Sequence, residues 1–217
     1  MKKVFVAACL LSMSITLGSG CTYKAPVDSI KNVNVYSAYE EKIPGNFAII
    51  VNNDEGLFNK TVSPSSYQCG AHDFSMTFAD SFVSSIKDAN SAIFESIVSR
   101  STIPTVDEMK KDNLSGYILV QGKLFEPRIS FIPGFWSARA SSTVNIGFDY
   151  SIRDSDNNLV VTGTVSGERT HEGEAGMFCS SGTEVLMSAT QKAMRDVLER
   201  YGERVSNSQK LREAVKK

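Results

Sequence analysis

Two cysteines and two histidines are the residues of this sequence whose types and spacing could form a chemical site. Two residues separate Cys69 from His72, as is common for zinc ligands, and seven residues separate His171 from Cys179. A Cys2His2 metal site built from these four side chains is one interpretation. The other is a disulfide between Cys69 and Cys179, which depends on the compartment, because paired thiols oxidise outside the cytoplasm.

Catalysis would have to use the same two histidines, because the sequence has none of the common catalytic motifs. A Gly-x-Ser-x-Gly elbow, a His-Glu-x-x-His pair and a phosphate-binding loop are all absent from it. A hydrolase acting on cell wall or lipid would need His72 or His171 as its general base. His72 is followed by Asp73, but sequence neighbours rarely form a working dyad. We therefore expect a protein that is not an enzyme and needs no cofactor.

The start of the chain has the order of a secretory signal that ends at a cysteine. Two lysines form a positive n-region, residues 4–17 are mostly apolar and uncharged, and three small residues precede Cys21. This order predicts a signal peptide over residues 1–20, too short for a membrane-spanning helix. A cysteine at this point is typical of lipoprotein processing, in which Cys21 becomes the acylated N-terminus. Gly18 stands where leucine is usual, and the alternative is an ordinary cleaved signal.

Export decides between the two interpretations of the cysteines. One cysteine lies in the signal and Cys21 is assigned to acylation, so that Cys69 and Cys179 remain. In an oxidising periplasm, two remaining thiols are best explained as one disulfide. Closing so long a loop stabilises a protein by about 4–5 kcal/mol in the chain-entropy model. The metal site stays the alternative.

The charge of the chain argues against nucleic acid as a partner. The formal net charge is −1 at pH 7, and it becomes more negative when the two lysines of the signal are removed. Nucleic-acid binding needs a basic face that neutralises phosphates. With 41% hydrophobic residues, the chain can form an ordinary globular core.

One apolar connection is a candidate interface with a partner or with lipid. Residues 126–138 read EPRISFIPGFWSA and join two predicted strands. Turns are normally polar, whereas exposed apolar patches with aromatic and arginine side chains mark contact sites. The residues assigned to this candidate interface are Arg128, Ile129, Phe131, Phe135, Trp136 and Arg139. The alternative is that the segment closes the core.

The elements that must position these residues follow from hydrophobic periodicity. The predicted elements are a strand over 47–51, a helix over 74–98, strands over 117–125, 142–154 and 159–170, and a helix from 182 to about 201. Ser181 and Glu184 have the spacing of a capping box for the last helix. The prediction is an α+β fold, in which an antiparallel sheet of four or five strands, three of them a meander, carries two long helices on one face.

The domain organisation follows from where this pattern begins and ends. Residues 21–44 contain scattered Pro and Asn and no apolar period, which predicts an acylated cysteine followed by a flexible tether. The pattern predicts a single α+β domain over residues 45–203 and a polar, basic C-terminal tail over residues 204–217.

The order of elements resembles a known group of lipoproteins. A strand leads through GERTHEGEAG at 167–176 into a helix that ends in Val-Leu-Glu-Arg-Tyr. With its lipoprotein-like start, the chain resembles the YajG-like small bacterial outer-membrane lipoproteins and, more distantly, the lipopolysaccharide-assembly lipoprotein family. The resemblance implies an antiparallel sheet packed on helices and no catalytic activity. It offers no counterpart for the cysteine pair or for the apolar connection.

These observations lead to one expected function and two alternatives. We expect a non-enzymatic lipoprotein, anchored through Cys21 at the periplasmic face of the outer membrane, which serves an envelope assembly as accessory or scaffold or binds an amphipathic envelope component. The residue after the cysteine is Thr22 and not Asp. The likeness to other lipoproteins implies that a residue other than Asp at this position favours the outer membrane. The alternatives are the hydrolase using His72 or His171 and a metal-binding module at the four cysteine and histidine positions.

Overall fold

The computed structural model describes residues 21–52, 54–134 and 138–215. The strands in this part of the chain are β1 (Thr22–Pro26), β2 (Ile43–Asn52), β3 (Lys60–Val62), β4 (Asp73–Thr77), β5 (Phe94–Ser99), β6 (Gly116–Pro133), β7 (Ala138–Asp154) and β8 (Leu159–Glu174). The helices are α1 (Glu55–Phe58), α2 (Ala79–Ile93), α3 (Val106–Lys111), α4 (Gly182–Ser206) and α5 (Gln209–Ala214), and a short 3-10 turn covers Met177–Cys179.

The main sheet has five strands in the order β5-β2-β6-β7-β8. β6, β7 and β8 pair antiparallel as a meander, whereas β2 pairs parallel with both β5 and β6. The α+β class and the meander are therefore confirmed, but the sheet is mixed rather than purely antiparallel. The parallel pairs arise because the chain crosses over through α2 between β2 and β5 and through α3 between β5 and β6, so that all three strands run in the same direction.

The predicted alternation along β7 is confirmed. Ile146, Phe148 and Ile152 are fully buried on one face, and the intervening Asn145 and Asp149 are half-exposed on the other. This is the pattern of a sheet with one covered and one open face, because successive side chains point to opposite sides.

Both long helices cover this buried face, as predicted. The ring of Phe148 lies 5.9 Å from that of Phe82 on α2 and 5.5 Å from that of Tyr201 on α4. On the other side of β2 the short helix α3 packs, through Met109, against Ala48 and its neighbours. The core therefore lies between the sheet and the helix pair α2 and α4.

A second sheet, in the order β1-β4-β3, shows that the segment predicted as a tether belongs to the domain. β1 pairs parallel with β4, and the apolar side chains that follow β1, among them Val27, Ile30 and Val33, are buried. The prediction of a flexible tether over residues 21–44 is wrong for this stretch. Their spacing of three positions fits neither the period of a strand nor that of an α-helix, and they fill the edge of the core from an irregular backbone.

The two ends of the predicted helix at 74–98 are also corrected. Phe74 lies in β4 and Ile97 in β5, and only α2 between these strands is helical. At the C-terminus, α4 continues to Ser206 and Leu211 of α5 is buried, so that the tail predicted over 204–217 packs on the domain as far as the structure describes it.

The predicted capping box at Ser181 is wrong. Its backbone is helical, with φ −71° and ψ −4°, and its side chain makes no capping hydrogen bond. A capping side chain needs an extended backbone. The chain does contain a capping box at α3, where Thr105 Oγ1 accepts from the backbone N–H of Glu108 at 3.3 Å and the carboxylate of Glu108 accepts from the N–H of Thr105 at 2.7 Å.

Candidate functional site

Cys69 and Cys179 are joined by a disulfide, as the compartment argument predicts. Their Cα atoms are 6.1 Å apart, and the bridge links the turn before β4 to the 3-10 turn before α4. The metal-binding alternative thereby loses both of its thiolate ligands. Across the described ranges, no group of three or more His, Cys, Asp or Glu side chains is placed to hold a metal ion.

The two candidate catalytic histidines have different surroundings. His171, on β8, has its Nδ1 2.9 Å from the Nζ of Lys192. His72 packs against the ring of Tyr23, with the ring centroids 5.5 Å apart. A hydrolytic base needs a nucleophile within hydrogen-bond reach and an orienting carboxylate. His171 instead contacts the amine of Lys192, and His72 contacts an aromatic ring.

The candidate interface at 126–139 divides into core and surface residues. Ile129 and Phe131 are each only 2% exposed, so their assignment to an interface is wrong. The ring of Phe131 stacks on that of Phe74, with the centroids 6.0 Å apart. These residues are buried because β6 continues to Pro133 and places every second side chain inside.

The surface residues of the same segment keep their candidate role. Arg128 is exposed and pairs with the carboxylate of Glu126 at 3.2 Å, and Arg139 at the start of β7 is also exposed. Phe135 and Trp136, the two aromatic residues of the prediction, lie outside the described residues.

Three exposed apolar side chains occur close to this hairpin. Tyr67 is 104% exposed, Met177 is 79% exposed and Ile132 is 51% exposed. Tyr67 and Met177 each stand two positions before a bridged cysteine, so the disulfide holds their two turns side by side. We call Tyr67, Ile132 and Met177 the apolar end. Sequence reasoning missed Tyr67 and Met177, whose signal in the sequence is a large apolar residue two positions before a cysteine.

Backbone and side-chain hydrogen bonds fix the hairpin formed by β6 and β7 to both turns. The N–H of Phe131 donates to Ser66 Oγ at 2.8 Å, and the N–H of Ser65 donates to the carbonyl of Ile129 at 3.0 Å. On the other strand, the N–H of Ala175 donates to the carbonyl of Ala138 at 2.8 Å. These bonds place the three residues of the apolar end at one end of the molecule.

Cys21 lies at the same end. It is exposed and takes no part in the disulfide. Its carbonyl accepts a hydrogen bond from the N–H of Asp73 at 3.2 Å, and the N–H of the preceding His72 donates to the carbonyl of Cys69 at 3.0 Å. One tight turn therefore connects the disulfide to the backbone that pairs with Cys21.

In the described part of the chain, no helix is both long enough and apolar enough to cross a bilayer.

Comparison with known proteins gives structural likeness without a family. No family model and no curated protein matches the chain. A minor lipoprotein from Acinetobacter baumannii is 9% identical, over 74% of this chain and 90% of that one, with a TM-score of 0.37. A protein described as a homolog of a neuraminyllactose-binding hemagglutinin from Helicobacter pylori is 8% identical, over 86% and 97%, with a TM-score of 0.42. A lipoprotein from Neisseria meningitidis is 9% identical, over 69% and 98%, with a TM-score of 0.25. Likeness at this level carries no conclusion about the function of this chain, and its resemblance to YajG-like lipoproteins stays an expectation.

Proposed function

We propose that this chain is a lipoprotein, anchored through acylated Cys21 at the periplasmic face of the outer membrane, which acts without catalysis in an envelope assembly. It serves there as an accessory or scaffold component, or it binds an amphipathic envelope component. The observation that carries the proposal is the position of Cys21. This residue follows a signal-like sequence, and its side chain is exposed at the edge of the domain, where acyl chains can leave the protein without disturbing its core.

The surroundings of the candidate catalytic residues support the non-enzymatic part of the proposal. The two thiols are bonded to each other, and His171 faces Lys192. A general base is instead expected within about 3 Å of a nucleophile or of a substrate group, whereas the neighbour of His171 Nδ1 is the amine of Lys192.

Mass spectrometry of the mature N-terminus tests the anchor. The expected N-terminal peptide starts at Cys21 and carries the mass of several acyl chains, because one chain alone gives only marginal binding. The control is Cys21→Ser, which should lose the acyl mass and the membrane association together. Mature protein with an unmodified Cys21, or cleavage at another residue, would show that the anchor is wrong.

Crosslinking in intact envelopes, followed by pull-down of the wild-type protein, tests the role. We expect a defined protein or lipid partner that is recovered from wild-type cells and lost with Cys21→Ser. The absence of any partner would contradict the accessory role. In parallel, the double variant His72→Ala, His171→Ala should keep the phenotype of the wild type, and loss of the phenotype in a folded double variant would favour the hydrolase.

A further inference from the structure

The anchor position and the apolar end share one end of the domain, and the chain leaves no slack between them. β1 begins at Thr22, directly after Cys21, and runs beside β4 from its first residue, since Thr22 pairs with Asp73. Consecutive Cα atoms are about 3.8 Å apart. An acyl chain on Cys21 would therefore bring the first residues of both strands to the membrane surface.

We propose that the apolar end, formed by Tyr67, Ile132 and Met177, is a membrane-contact site that inserts into the lipid headgroup layer around acylated Cys21. The domain then stands end-on on the membrane in one fixed orientation. This inference rests on the proposed acylation of Cys21. It adds a second, non-covalent contact that the anchor alone does not require.

The chemistry of the site fits the boundary between lipid headgroups and acyl chains. Tyrosine side chains concentrate at membrane interfaces, where the ring is apolar and the hydroxyl is wet. Ile132 and Met177 supply purely apolar surface, and the exposed Arg139 is the cross-strand partner of Ile132. An arginine at this position can extend its guanidinium to lipid phosphates while its aliphatic stem lies beside the isoleucine.

The opposite end of the meander provides the internal comparison. Leu159 is 44% exposed at the turn between β7 and β8, and it lies beside Arg153, the partner of Tyr117 near the start of β6. From there β6 continues to Pro133, which at about 3.3 Å per residue is roughly 50 Å. This exceeds the thickness of the hydrocarbon core, about 30 Å. An end-on domain therefore keeps Leu159 out of the membrane that holds Cys21.

Depth-dependent fluorescence quenching tests the proposal on full-length acylated protein. Trp136, the single tryptophan of the sequence, is first replaced by phenylalanine so that it contributes no signal. Tryptophan is then introduced singly as Tyr67→Trp, Met177→Trp or, as the matched control, Leu159→Trp. Each variant is reconstituted into vesicles of phosphatidylethanolamine and phosphatidylglycerol with brominated acyl chains. All three positions are exposed, so circular dichroism should show the same fold.

The expected result is strong quenching and a blue-shifted emission for Tyr67→Trp and Met177→Trp, and neither effect for Leu159→Trp. A second measurement uses the triple variant Tyr67→Ser, Ile132→Ser, Met177→Ser with Trp136 restored. It should leave donor vesicles about tenfold faster than the wild type, because less apolar surface holds it in the lipid.

The outcomes separate this inference from the proposed function. Equal emission from all three tryptophans on a protein whose Cys21 is acylated overturns the membrane-contact site and leaves the lipoprotein proposal standing. Quenching of Leu159→Trp as strong as that of Met177→Trp also overturns the end-on orientation. An unmodified Cys21 in the mature protein overturns both proposals together.

Discussion

Removal of one buried hydroxyl gives a sharp test of how the two long helices are held together. Tyr201 on α4 and Asn90 on α2 are both fully buried, and the Tyr201 hydroxyl donates to Asn90 Oδ1 at 2.7 Å. Asn90 Nδ2 in turn donates to the carbonyl of Ile86 at 2.8 Å. In Tyr201→Phe the ring keeps its contacts with Phe148 and Tyr150, at centroid distances of 5.5 and 5.0 Å. The variant therefore deletes the hydrogen bond and little else.

The expected cost follows from the burial of the partner. Asn90 Oδ1 loses its donor in a site that water does not reach, and a buried acceptor left without a partner costs about 1–3 kcal/mol. The matched control is Tyr117→Phe, because the Tyr117 hydroxyl also donates to an asparagine Oδ1, that of Asn157, at 2.9 Å. Asn157 is exposed, so water replaces the lost donor and the control should cost less than about 0.5 kcal/mol.

Equilibrium urea unfolding of the oxidised protein measures both variants. Tyr201→Phe should lower the midpoint by the equivalent of about 1–3 kcal/mol with an unchanged m-value, and Tyr117→Phe should barely move it. In the double variant Tyr201→Phe, Asn90→Leu both polar partners are gone, so the total loss should be smaller than the sum of the single losses. Equal losses for Tyr201→Phe and Tyr117→Phe, or no loss in either, would refute the reasoning.

Three further predictions concern the same core and its disulfide. Burial raises the pKa of Tyr201 above its ordinary value of 10.0, so just above pH 10 the Tyr201 hydroxyl ionises only in the unfolded chain. The contribution of Tyr201 to the free energy of unfolding should be full below pH 10 and fall above it by up to about 1.4 kcal/mol per pH unit. Urea unfolding at several pH values should show this fall in the wild type and not in Tyr201→Phe. The double variant Cys69→Ser, Cys179→Ser opens a loop whose ends are 110 positions apart and should lose about 5 kcal/mol in urea unfolding, and an unchanged midpoint would contradict the bridge. A Cβ on Gly182 would lie 2.7 Å from a phenylalanine ring of β4, so Gly182→Ala should cost about 1–3 kcal/mol in thermal unfolding. Gly56→Ala should cost much less, because Gly56 is an exposed position of α1 and its Cβ would come within 3.2 Å only of the exposed Asp54 carboxylate.

The parts of the fold that were predictable are those in which one element has one buried and one open face. β7 alternates over most of its length because the helix pair covers only one side of the sheet. The predicted helix at 74–98 failed at both ends for the opposite reason. Phe74 and Phe78 are spaced as on a helix, yet Phe74 belongs to a strand and Phe78 is the N-cap residue of α2. An apolar spacing of four also fits two elements in succession, and only tertiary pairing decides between them.

The candidate site was predictable only where a chemical argument did not need geometry. The bridge between Cys69 and Cys179 followed from the oxidising compartment and from the fact that two cysteines remained to be paired, and neither requires knowledge of the fold. The burial of Phe131 depends on how far β6 extends, and the hairpin length is set by pairing with β7 rather than by local sequence. Tyr67 and Met177 lie in short turns, and a turn is too short to show a period from which exposure can be inferred.

The loss of the tether changes what the anchor would do mechanically. An extended chain over residues 22–44 could hold the domain as much as about 80 Å from the bilayer. The structure instead begins β1 at Thr22, so acylated Cys21 would hold the domain directly at the surface. Any reach away from that surface would then come from the length of the domain, which along β6 is about 55 Å from Gly116 to Pro133. A partner would meet a rigid sheet end at a defined height, and that geometry suits a scaffold better than a freely moving tethered binder.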